Sequence, residues 1–239
     1  QSCHPDEHSS WHKSYHRTMT QPALPGAVLG SFDGSRIISQ GLEYRVFQTN
    51  GAYFAEMPDP DVMMYVVQGG RKLAFDKIPR VKRPVVMATG SHNYQTYWVT
   101  SPRYPGLMQT LPLVYLPAEK QWIPREDAFM HGAAEGKRFI TQWNHHCIRC
   151  HSTEGNPGLD EKTGMLNSTV GEFGIACEAC HGPGEKHALK HSKEVGRAVH
   201  HQADRRDDSI VNPARLDHDR GSQVCGQCHG VYVMREEFA

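Results

Sequence analysis

The chain has 239 residues, with 26 Lys and Arg against 26 Asp and Glu, 16 His and 7 Cys. Zero formal net charge removes the electrostatic footprint of a general nucleic-acid binder, and no uncharged apolar run approaches the roughly 20 residues needed to span a bilayer. An apolar content of 38% and a mean hydropathy of -0.60 are thin for one or two domains, so material other than side chains is expected to fill part of the core.

In chain order, residues 1–22 carry Cys3-His4 followed by His8, His12 and His16, an every-fourth spacing that makes one slowly drifting stripe on a helix. Residues 23–135 contain no Cys and read as strands. Leu42 to Gln48 and Ala52 to Met57 flank Asn50-Gly51, a hairpin signal. Further strands are expected at Met63 to Val67, Val85 to Thr89, Tyr94 to Thr100 and Leu111 to Leu116, with turns at Pro58-Asp59-Pro60, Gly69-Gly70 and Pro102 to Gly106. A small antiparallel β domain follows from this pattern. Residues 136–239 show little apolar periodicity. One helix is expected from Glu185 to His201, entered through Gly182-Pro183-Gly184, with His187 and His191 on one face. The sign-balanced run Arg205-Arg206-Asp207-Asp208 reads as a solvated loop.

The same region holds six of the seven cysteines in three identical arrangements: Cys147-x-x-Cys150-His151, Cys177-x-x-Cys180-His181 and Cys225-x-x-Cys228-His229. C-x-x-C-H is the attachment signature of a c-type haem. Two thiols add to the two vinyl groups of one porphyrin, and the imidazole of the next residue reaches the iron from the proximal side. Structural zinc sites and disulfides also use C-x-x-C pairs, but neither requires His after the second Cys. Cys3-His4 has the form of the last two residues of the same motif, and a Cys one position before Gln1 would complete it. On this reading the chain begins inside a haem motif; a truncated N-terminus and a haem held by one thioether through Cys3 both fit it, and a free exposed thiol is the alternative. Four haem c groups are expected, with His4, His151, His181 and His229 as proximal ligands.

The fold expected is therefore α+β: a haem-packed region of short helices and loops, with the β domain inserted between the first and second haem motifs. Haem c is attached outside the cytoplasmic membrane, which places the protein in the periplasm or outside the cell. For distal ligands the sequence offers a surplus. His145 and His146 directly precede a motif, His187 lies too close to His181 to cross its own haem, and His92 stands alone in the β region, where a surface role is equally open. Met19, Met63, Met64 and Met234 are alternative axial thioethers, but the abundance of His favours bis-His iron. Saturated iron passes electrons and offers no open position, so electron transfer leads over a multihaem oxidoreductase with one open haem acting on small nitrogen compounds.

The run Cys3-His4, Trp11, Ser14, His16 and Met19 resembles the opening of a multihaem cytochrome c family that includes the tetrahaem electron carriers of nitrifying bacteria. Trp143 to Thr153, Cys177 to His187 and Asn212-Pro213 ahead of Cys225 resemble it as well. The resemblance implies that His16 and His187 are distal ligands to other haems and that stacked haem pairs form a conduit. Some relatives polymerise into extracellular filaments in which one subunit supplies a ligand to the next. The partners implied are redox proteins, neighbouring cytochrome subunits or further copies of the chain, with neither nucleic acid nor membrane insertion.

Overall fold

The computed structural model describes residues 2–70, 72–128, 141–192 and 207–230. The chain divides into two units, Gln1–Ile175 and Ala176–Ala239.

The N-terminal unit is built on an eight-stranded antiparallel sheet. Its strands are β1 (Thr20–Pro22), β2 (Asp33–Ser39), β3 (Leu42–Thr49), β4 (Ala52–Pro58), β5 (Arg80–Thr89), β6 (Gln95–Thr100), β7 (Met108–Leu116) and β8 (Gln121–Pro124). Strands β2 to β8 pair in sequence order, and β1 pairs with β5. The hairpin at Asn50-Gly51 forms with Thr49 opposite Ala52, and both turn residues have positive φ, 50° and 77°. Two successive left-handed residues are what a two-residue turn needs to match strand twist, and Asn and Gly adopt that conformation at least cost.

Alternation sets the core. Leu42, Tyr44 and Val46 of β3 and Tyr53, Ala55 and Met57 of β4 are buried, while Arg45 and Glu56 pair on the opposite face at 3.7 Å. Tyr97, Val99, Leu111, Leu113 and Trp122 complete this cluster. Trp122 donates to Ser31 O at 3.0 Å and packs against Phe32 with ring centroids 5.4 Å apart, so β8 closes over the segment that enters β2. The side chain of Gln95 is fully used: it accepts from Leu29 N (2.8 Å) and donates to Ala27 O and Gly90 O (2.9 Å each). These bonds hold residues 27–29 onto the sheet. Burial pushes the Tyr97 phenol up, and its oxygen accepts from Gly30 N at 2.7 Å.

Strand β6 is buried on both faces because a second apolar cluster lies behind it: Met87, Trp98, Trp143 and Ile148. Ile148 lies inside the first complete C-x-x-C-H motif and Trp143 just ahead of it. The sheet therefore has one face for its own core and another for that motif.

Met63 to Val67 forms part of a helix, Pro60–Val67, not the strand its composition suggests. Asp59 caps it by accepting from Asp61 N at 3.0 Å, and Pro60 occupies the first turn, where its missing N–H costs nothing. Local capping overrides the β preference of Val and Tyr. Strands β1 and β2 have weak sequence signals and pair through the sheet.

In the C-terminal unit the described elements are helices Cys177–His181, Glu185–His191 and His218–His229, with a short 3-10 turn at Pro213–Arg215. Beyond His191 the expected Glu185 to His201 helix reaches Ser192, its C-cap, and then leaves the described residues. None of the described residues in 176–230 is buried.

Candidate haem-attachment sites

All three complete motifs end a helical segment at their His. Cys147 caps helix Ile148–His151, Cys177–His181 is itself a helix, and Cys225 to His229 forms the last turn of His218–His229. On a helix, positions i and i+3 share a face, so each pair of thiols points to one side with the imidazole one residue further on. None of the seven cysteines is in a disulfide.

The motif at Cys147 is bolted to the sheet. Thr110 N donates to Thr141 O at 3.0 Å, and Gln109 and Gln142 form an antiparallel bridge. Residues Trp143–Cys147 then make a π-helical turn, a form that concentrates at functional sites. Trp143 and Ile148 are 1% and 0% exposed, which drives one face of the motif into the second cluster. Asn144, fully buried, donates to Gly106 O (3.0 Å) and Ser168 Oγ (2.7 Å) and accepts from Met108 N (2.9 Å). Nothing in the local sequence marks this residue as the anchor of the turn. His145 and His146 are exposed on the same turn, and His146 Nδ1 lies 3.1 Å from Gln142 O.

Burial pushes the Cys147 thiol up to about 11 from an ordinary 9.0, with the nearby Arg125 guanidinium opposing the shift. In the polypeptide alone its thiolate fraction at pH 8 is about 100-fold below that of an ordinary thiol. The greater nucleophilicity of a more basic thiolate recovers about tenfold. Alkylation of Cys147 in the haem-free chain is thus expected to run roughly tenfold slower than that of an ordinary thiol, measured by peptide mass mapping at pH 8. Because the unfolded thiol ionises first, the haem-free fold loses stability as pH rises from about 9 to 11.

The N-terminal segment is tied to the backbone at Ile175. Trp11 Nε1 donates to Ile175 O at 2.7 Å, and Ile175 N donates to His16 O at 2.9 Å. His92, from the β5–β6 turn, stacks on Tyr15 at 4.2 Å, and Thr18 Oγ1 donates to Ser91 Oγ at 2.9 Å. Two sequence candidates for distal ligation, His16 and His92, are thereby brought to one corner, both exposed. Cys3 and His4 are exposed and precede helix Pro5–His12, with His4 as its N-cap. Gly174 makes this corner possible: its φ is +75°, and a Cβ there would lie 2.3 Å from Arg17 O. Gly174→Ala is expected to cost about 2–3 kcal/mol, from the left-handed backbone and the clash together, as a lowered thermal midpoint.

Two motifs meet in the C-terminal unit. Gln227, inside Cys225 to His229, donates its amide to Ala179 O, inside Cys177 to His181, at 2.6 Å. Burial pushes the Cys180 thiol up, and Cys225 and Cys177 add to the shift. His181 Nδ1 lies 2.8 Å from Val211 O. A carbonyl only accepts, so Nδ1 carries the proton and Nε2 the lone pair, the tautomer that an iron ligand needs. His187 and His191, on one face of helix Glu185–His191, both contact Asp207 Oδ2 at 2.8 Å. Asp207 is thus a structural partner, not a solvated loop residue. Burial works to raise its carboxyl, but hydrogen bonds from Lys190, Ser209 and His191 outweigh that and hold it well below the usual carboxylate range.

Met63 is buried in the sheet core, and Met64 Sδ accepts from Gln142 Nε2 at 3.1 Å, so neither thioether is presented for iron. His131, His200, His201 and Met234 lie outside the described residues.

The donor set fits haem c: paired thiols one turn apart, a following imidazole whose tautomer is fixed at His181, and beside Cys147 the Trp143 indole Nε1, buried with no hydrogen-bond partner among the described residues. Residues 118–182, which contain two of the complete motifs, match the model of the family described as cytochrome c554 and c-prime. The match supports a c-type cytochrome family, and that family implies haem c. No curated protein and no solved structure matches the chain. No helix among the described residues is long and apolar enough to cross a membrane.

Proposed function

We propose that the chain is a multihaem cytochrome c that carries electrons one at a time outside the cytoplasm. Cys147 and Cys150, Cys177 and Cys180, and Cys225 and Cys228 each hold one haem, with His151, His181 and His229 as proximal ligands. Cys3 and His4 hold a fourth. His16, His92, His145, His146 and His187 supply the distal imidazoles that leave the irons six-coordinate. When bound, haem c supplies an Fe(III)/Fe(II) couple that accepts and returns a single electron. The chain's own residues fix spacing and access: Gln227 ties the two C-terminal motifs together, and Val211 O sets the His181 tautomer. The α+β arrangement puts the sheet to use as a rigid mount for the motif at Cys147.

The observation that carries this reading is the C-terminal unit, where two motifs touch and no described residue is buried. A polypeptide this exposed lacks the apolar burial that offsets about 1–2 kcal/mol of backbone ordering per residue. Porphyrins attached at the two motifs would supply it. Partners follow as redox proteins or neighbouring cytochrome subunits, including copies of the chain in a filament.

Intact mass and electron paramagnetic resonance test the proposal. The mass is expected to exceed that of the polypeptide by four haems, with only low-spin signals and no change on adding cyanide or nitrite. A high-spin haem that binds nitrite would replace electron carriage with catalysis on small nitrogen compounds. A chain that fails haem staining after denaturing electrophoresis would end the haem reading.

A further inference from the structure

We infer that Asp207 is a positioning residue that holds His187 in the orientation and tautomer required of an iron ligand. This rests on the proposal that His187 ligates a haem iron. Helix Glu185–His191 directs three side chains at one carboxylate: His187 Nδ1 and His191 Nε2 reach Asp207 Oδ2 at 2.8 Å, and Lys190 Nζ reaches Oδ1 at 2.8 Å. Positions i, i+3 and i+4 share a helix face, so one acceptor can serve all three. The carboxylate is itself fixed, because Ser209 donates to Oδ1 from its N (3.0 Å) and its Oγ (2.6 Å). His187, His191 and Asp207 are all half-buried, with side-chain exposures of 23%, 15% and 17%.

The chemistry follows from the direction of the bond. An ionised carboxylate only accepts, so His187 Nδ1 carries the proton and Nε2 holds the lone pair. His191 is held in the opposite sense, through Nε2, and so acts here as a second donor that keeps Asp207 in place. A His N–H donated to a carboxylate fixes the ring and raises the basicity of the coordinating nitrogen, and losing such an outer partner typically costs 10–100-fold in metal affinity. Lys190 and Ser209 make the acceptor rigid, so His187 has little freedom to swing away when its iron changes charge.

The test compares Asp207→Asn, Asp207→Glu and His187→Ala in the fully haem-loaded protein. The readouts are the low-spin resonance signals, the midpoint potentials and the concentration of cyanide that displaces the distal ligand of one haem. Asp207→Asn is expected to lower that concentration 10–100-fold and to raise the potential of a single haem, with haem count and the other signals unchanged. Asp207→Glu, which keeps a charged acceptor, is expected to restore most of both. In a His187→Ala background Asp207→Asn is expected to add nothing. If His187→Ala leaves every signal in place, His187 is not a ligand and the inference falls with that reading. If His187→Ala converts one haem to an open form while Asp207→Asn matches wild type, the ligand stands and the role given to Asp207 is wrong. If Asp207→Asn disrupts the unit, broadening signals from all its haems with no rescue by Asp207→Glu, the residue is structural and the inference also fails.

Discussion

Converting both Cys177 and Cys180 to Ala is expected to release one haem from the chain and to unfold the C-terminal unit, while the sheet keeps its thermal transition. The two units differ in what holds them. In the N-terminal unit Tyr44, Val46, Tyr97, Val99, Leu111 and Leu113 are each no more than 1% exposed, and each fully buried side chain of this size contributes about 1.5–3 kcal/mol. That core is independent of any attached group. Residues 176–230 contain no buried residue among those described. The polar contacts of the described residues there include Gln227 to Ala179 O, His181 to Val211 O and the cluster on Asp207. Each is worth about 1 kcal/mol net when made, too little to order this length of chain. The double substitution leaves the backbone contacts possible but removes the covalent hold on one porphyrin. Haem staining and intact mass report the loss, and limited proteolysis reports the rest: cleavage within 176–230 is expected to become rapid while Gln1–Ile175 persists. If the C-terminal unit stays protected after losing a haem, the porphyrin is not its core.

Legibility from sequence tracked how local each determinant is. The three C-x-x-C-H motifs are complete within five residues, so the paired thiols and the imidazole that follows them are legible from spacing alone. The Asn50-Gly51 turn is equally local, because two adjacent residues fix the hairpin register. Helix Pro60–Val67 was misleading for the opposite reason: the strand-like run lies inside it, while the Asp59-Pro60 cap decides the outcome. The distal side of each proposed iron site was least legible. His16 reaches its corner through a bond to Ile175, and His92 arrives there on a turn between strands. Asp207 sits in a run of balanced charge that reads as solvated, and only the packing of helix Glu185–His191 makes it an acceptor for three side chains. No spacing rule covers contacts of that range.

Asn144 is the position in the N-terminal unit where one substitution is expected to do most damage to a haem motif without touching its Cys or His. Asn144→Ala should lower the stability of that unit by about 3 kcal/mol. The side chain is 0% exposed and makes three hydrogen bonds to separate segments: Met108 N on β7, Gly106 O in the turn before it, and Ser168 Oγ in the loop that follows the motif. Deleting it orphans the Met108 N–H, at about 1–3 kcal/mol, and removes two further bonds at about 0.5–1.5 kcal/mol each, with Gly106 O recovering part from solvent. Asn144→Asp should be worse than Ala. Ser168 Oγ gives its own proton to Pro157 O at 2.5 Å, so a carboxylate in place of the amide would face two oxygen lone pairs with no proton between them and be buried as a charge. Because the π-helical turn Trp143–Cys147 pivots on this residue, both variants should also broaden the spectrum of the haem at Cys147 and leave the haems of the C-terminal unit sharp. Chemical denaturation read separately at the Trp fluorescence of the sheet and at haem absorbance would distinguish these effects. Equal stability of Asn144→Asp and wild type would mean that the anchor is not the amide.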